Sequence, residues 1–129
     1  MAIACSTFPL MAAPQALAEL DRHQFGVVCI QNPTNVDINY QYKWGDRKYK
    51  TVTVKAGSNR WHSWKYSSNK KYVSPNFKVT FDYDLSPHKK SYKSYSLKRY
   101  RNKYQGCDGA RKYKFAKEGD CIDLYSVKD

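Results

Sequence analysis

The chain has 129 residues, with 23 Lys+Arg against 11 Asp+Glu and a formal net charge of +12. That length fits one domain with a modest core, and the aromatic content of 16% excludes a solvated, disordered polymer despite the charge. Lysine supplies most of the cations, so the surface draws polyanions diffusely and lacks the arginine forks of a dedicated base reader.

Residues 1–18, "MAIACSTFPLMAAPQALA", carry no charge before Glu19 and end in Ala16-Leu17-Ala18, the small-x-small form of a signal-peptidase site. The segment reads as a signal peptide or, since a basic leading region is missing, as an apolar N-terminal arm. It is too short and too proline-interrupted to span a membrane. Ile3-Ala4-Cys5 also has a faint likeness to the end of a lipoprotein signal. Residues 19–129 are expected to form one domain.

The rest of the chain alternates with period two in short runs, broken by turn residues. The first run, Phe25 to Gln31, is mostly apolar; "NPTN" follows as a turn. "DINYQYKW" places Ile38, Tyr40, Tyr42 and Trp44 on one face and Asn39, Gln41 and Lys43 on the other. "GD" turns the chain into "RKYKTVTV", and "AGSN" turns it again into "RWHSWKY". "FKVTFDY" points Phe77, Val79 and Phe81 inward, "SYKSYSLKRY" reads as one strand, and "RKYKFA" with "CIDLYSV" reads as a hairpin across "KEGD". About eight short strands define an all-β class: an antiparallel β-sandwich of immunoglobulin-like proportions, with a small β-barrel as the alternative.

Removing the first 18 residues leaves Cys29, Cys107 and Cys121, enough for one disulfide and one thiol in an oxidising compartment. Cys29 lies in the apolar run and reads as buried. Cys107 and Cys121 both sit beside turn residues, so a Cys107–Cys121 bond is expected, with Cys29 bonding either of them as the alternative. No CxxC or His/Cys spacing points to a metal. Asp82 with Asp84, and Asp120 with Asp123, read as surface charges rather than calcium ligands.

Two segments carry the candidate ligand-binding residues. In "RWHSWKY", regular alternation sends Trp61, Ser63 and Lys65 one way and His62, Trp64 and Tyr66 the other. Trp64 then belongs to the core, and Trp61 is a candidate aromatic platform beside Arg60 and Lys65. The second segment, 86–107, contains no acid and interleaves cations with tyrosines; its candidates are Lys89, Lys90, Tyr92, Lys93, Tyr95, Lys98, Arg99 and Arg101. No hydrolase, kinase or dinucleotide fingerprint is present, and a buried Cys29 beside His62 would be an inert thiol. The expectation is an exported, non-catalytic module without cofactor or metal, secreted, periplasmic or at the cell surface. It would bind an anionic polymer such as an acidic polysaccharide, an envelope polyanion or extracellular DNA. The alternatives are an accessory subunit docking an acidic protein partner, and an intracellular nucleic-acid binder with an uncleaved N-terminus.

Overall fold

The computed structural model describes residues 23–67, 72–87 and 90–127. The expected leader at 1–18, Cys5, His88 and Lys89 lie outside the described residues. The nine strands are β1 (Phe25–Asn32), β2 (Ile38–Trp44), β3 (Lys50–Val54), β4 (Ser58–Lys65), β5 (Phe77–Asp82), β6 (Tyr92–Leu97), β7 (Tyr100–Asn102), β8 (Arg111–Glu118) and β9 (Cys121–Ser126). They form two stacked sheets with no helix among the described residues, so the chain is a β-sandwich and not a closed barrel. No described helix is long and apolar enough to cross a membrane.

One sheet runs β4-β1-β8-β9, with β7 also on β1; the other runs β3-β2-β5-β6. All pairings are antiparallel except β1 with β8, which is parallel over Val28–Gln31. The sandwich is therefore mixed rather than purely antiparallel. Strand β1 is the hub. Along one edge it pairs with β4 over its whole length, and its other edge is shared by β7 and β8.

That position explains why β1 reads as a continuous apolar run rather than an alternating one. Val28 and Ile30 face the main core with Tyr40, Phe77, Val79, Phe81, Phe115, Ile122 and Leu124. Val27 and Cys29 face the other way and form a second small cluster with Ala110, Phe25 and Cys107. The two clusters bury both faces of one strand.

The disulfide joins Cys29 to Cys107, with Cα atoms 5.1 Å apart. The expected Cys107–Cys121 bond is thus corrected: Cys121 is a free, exposed thiol. Cys29 points outward from the middle of the sheet, where the loop carrying Cys107 folds over it. Cys121 instead sits at the far hairpin, paired with Glu118.

The segment read as one strand over 91–100 divides in two, and this raises the strand count to nine. β6 belongs to one sheet and β7 to the other. Leu97 ends β6 in the core, and the crossing is held by polar bonds. Lys98 N–H donates to the Tyr113 hydroxyl (2.9 Å). Arg99 donates to the Leu97 carbonyl (2.7 Å) and, through two nitrogens, to the Ser74 hydroxyl (3.2 and 3.0 Å).

Candidate functional site

Strand β4 is the outer edge of the five-stranded sheet, and its alternation is regular. His62 is buried, Trp64 packs half-buried against the core, and Trp61 is 45% exposed on the outer face. Ser63 and Lys65 share the outer face with Trp61. Register extends this face across the sheet. Cys29 is the partner of Trp61 on one side and of Lys112 on the other; Gln31 lies between Asn59 and Lys114, and Lys114 pairs with Tyr125. Strands lie about 4.8 Å apart, so Lys112 stands about 10 Å from Trp61. The Cys29–Cys107 disulfide rises between them, and Gln105 ties its loop to β4 by donating to the Ser63 hydroxyl (2.9 Å). Tyr125, more than half exposed, stands beside Lys114.

A second feature lies just across the β4 edge. The β2–β3 turn opens at Gly45, whose φ of +55° is left-handed and free of strain only for glycine. Its N–H donates to the Asn76 carbonyl (2.7 Å), and Arg47 N–H donates to the Trp44 carbonyl (3.0 Å). This fixed turn and β4 enclose a cleft of about 260 Å³ lined by Lys43, Arg47, Lys48 and Lys50 with Tyr42, Trp44, Ser63 and Trp64. Four cations and no carboxylate line it. The Arg47 guanidinium lies 4.9 Å over the Trp64 ring, which in turn packs 5.6 Å from Trp44. Stacking of this kind holds the guanidinium in place while leaving its edge donors for an anion. Ser63 belongs to both features, so the cleft and the outer face meet across one strand.

Beneath the cleft, Tyr40 Oη and His62 Nε2 lie 2.7 Å apart. Burial, helped by the Arg60 charge, pushes His62 down to about 4, so the ring is neutral near pH 7 and serves as a packing group against Tyr42 and Phe77 (4.1 and 5.1 Å). Burial also pushes the Tyr40 hydroxyl well above its usual range. Cys29 is oxidised and faces outward, whereas His62 faces inward. The two therefore do not form a nucleophilic couple.

The residues expected to bind ligand do not all share one surface. Trp61 and Lys65 lie together on the outer face of β4. Arg60 is on the opposite side of the strand and donates to the Thr53 carbonyl (3.0 Å), bridging the edges of the two sheets. Lys93 and Tyr95 both bind Asp123 (2.9 and 2.6 Å). Arg99 clamps the crossing between the sheets, and Arg101 stacks 4.3 Å over Tyr72. Lys98 is exposed at that crossing, while Lys90 and Tyr92 border a separate groove on the other sheet. Among the described residues, no group of three His, Cys, Asp or Glu side chains could hold a metal. Sequence reasoning passed over Lys43, Arg47, Lys48, Lys50, Lys112, Lys114 and Tyr125. Their signals were legible: "KWGDRKYK" has four cations to one acid, and alternation in "RKYK" sends Lys112 and Lys114 to one face.

No family model and no curated protein matches the chain. A solved structure similar in fold is the NMR structure of a protein from Eubacterium rectale. It is 14% identical, with a TM-score of 0.47, over 82% of this chain and 91% of that one.

Proposed function

We propose that the protein is an exported, non-catalytic module that binds anionic polymers along strand β4. The observation that carries this reading is the cleft lined by four cations and no carboxylate, joined through Ser63 to the face bearing Trp61. The +12 charge supplies long-range attraction. Arg47, held on Trp64, and the lysines around it supply direct contacts to phosphate, sulfate or carboxylate groups. Trp61 supplies a stacking surface for a sugar ring or a base. The Cys29–Cys107 disulfide fits an oxidising compartment, secreted, periplasmic or at the cell surface, and the leader reading of 1–18 accords with it.

The test is titration of the purified protein with DNA, an acidic polysaccharide and a neutral polysaccharide across a range of salt. Affinity for the anionic polymers is expected to fall linearly on a log–log plot of binding against salt. Replacing Arg47 and Lys48 together by Ala should flatten that slope by about 1 to 2. Trp61→Ala should weaken binding with little change in slope, at a cost of about 1–3 kcal/mol. Absence of binding to every anionic polymer at low salt would remove the reading and leave the basic cleft as a dock for an acidic protein.

A further inference from the structure

A different site opens within the four-stranded sheet, between β2 and β5. Strands β2 and β5 pair only over Gln41–Trp44 and Phe77–Thr80. Beyond Gln41 and Thr80 they part. β2 stays with β3 as far as Ile38, and β5 stays with β6 as far as Asp82. The split leaves a wedge of about 410 Å³ in the middle of the sheet. Its apolar floor comes from Ile38, Tyr40, Phe81, Leu85 and Ile122. The back wall is pinned to β9 and the turn before it: Leu85 N–H donates to the Asp120 carbonyl (2.7 Å), and Ile122 N–H donates to the Tyr83 carbonyl (2.9 Å). The wedge is therefore built into the fold. An apolar floor with a few convergent polar groups is the usual form of a small-ligand site.

The rim identifies the class of ligand. Asp37 and Asp82 each place one carboxylate oxygen on backbone donors, Ala56 N–H for Asp37, and Asp84 and Ser91 N–H for Asp82. Their second oxygens take no bond among the described residues and remain acceptors. The Asn39 carbonyl oxygen is used by Thr53, which leaves its amide N–H groups as donors. The Gln41 amide and the Thr51 hydroxyl offer both functions. Tyr92, 61% exposed, stands at the mouth as a flat wall, with Lys90 beside it. Two carboxylates against one ammonium disfavour an anion, and the ring of amides and hydroxyls disfavours a purely apolar guest. Interleaved donors and acceptors around an apolar floor match a molecule whose hydroxyls both give and take hydrogen bonds while its C–H face packs on an aromatic ring.

We infer that the wedge between β2 and β5 binds a neutral saccharide. This site is distinct from the anionic-polymer surface: it uses the Ile38–Gln41 half of β2, whereas the basic cleft uses Tyr42–Trp44 and the turn beyond, the two share no lining residue, and it has no reason to respond to salt.

The experiment follows the backbone amides of the isotope-labelled protein by NMR during titration with cellotriose, chitotriose, maltotriose and mannotriose, at low and at high salt. At least one trisaccharide is expected to shift the amides of 38–41, 80–85 and 90–92, equally at both salt concentrations. Gln41→Ala and Tyr92→Ala change exposed side chains and should leave the thermal midpoint in place. Each is expected to weaken binding about fivefold or more. If none of the four sugars moves those amides, or if both variants bind as tightly as the parent, the inference is overturned. Salt-sensitive shifts confined to β4 and 43–50 would overturn it too, while leaving the anionic-polymer reading intact.

Discussion

His62 and Asn32 are the two buried polar side chains among the described residues, and they behave differently. Asn32 is fully satisfied. Its amide donates to the Val36 and Val54 carbonyls (2.7 and 2.9 Å), and its carbonyl oxygen accepts from the Thr34 N–H and hydroxyl (3.1 and 2.6 Å). The composition of "NPTN" announced a turn, but not that its first residue would bridge three segments. His62 is held neutral, and its folded value of about 4 lies below the unfolded 6.5. A proton therefore binds the unfolded chain more tightly. The stability tied to this group is complete above about pH 6.5 and is lost as pH falls toward about 4, by at most about 3 kcal/mol. Thermal unfolding at about pH 7 and about pH 4.5 checks this. His62→Phe should be less stable at neutral pH, because the Tyr40 hydroxyl loses its partner, yet it should lose less on acidification than the parent.

At the scale of elements, Asp123 on β9 draws two residues of β6 across the open side of the sandwich. Burial raises the Asp123 carboxyl, but the bonds from Tyr95, Lys93 and the Leu124 N–H outweigh it and hold the group below the usual carboxylate range. The Lys93–Asp123 pair is partly exposed, so its charge contributes little and the shared hydrogen bonds contribute more. Asp123→Ala is expected to cost about 1–2 kcal/mol in denaturant unfolding; no measurable change would show that the two edges hold without it. The difference between β2 and β6 also shows what the sequence made legible. Ile38, Tyr40 and Trp44 are buried while Asn39 and Gln41 are exposed, so alternation alone found β2, its face and its bounds. Alternation could not find the break after Leu97. Period-two patterning reports which face is buried, not which sheet a residue joins, and Tyr100 resumes in the other sheet. The candidate residues are divided at that point. A segment that changes sheets cannot present Lys93, Tyr95, Arg99 and Arg101 on one surface, and each of these residues is instead turned to an internal partner.

For the whole molecule, the fold class was legible because turn residues punctuate short alternating runs, while the disulfide was not. Cys107 and Cys121 are close in sequence, whereas Cys29 and Cys107 are 78 residues apart and meet only because a loop covers the outer face of β1. That separation makes the bond a long-range staple. Replacing Cys29 and Cys107 together by Ala should lower stability by about 2–5 kcal/mol. Native alkylation followed by mass spectrometry should label Cys121 and leave the bonded pair untouched until reduction; protection of Cys121 instead of the pair would contradict this connectivity.

The central place of β1 bears on how the chain is made. Its antiparallel partner β4 follows early, but its parallel partner β8 comes only after six further strands. A nascent chain therefore carries Val27 to Ile30 with one edge unsatisfied until β8 has been made. Long-range parallel pairing of this kind closes slowly, and an apolar strand with an open edge recruits other strands while it waits. Export as an unfolded thread, the route that the proposed function calls for, would spare it that interval beside the ribosome.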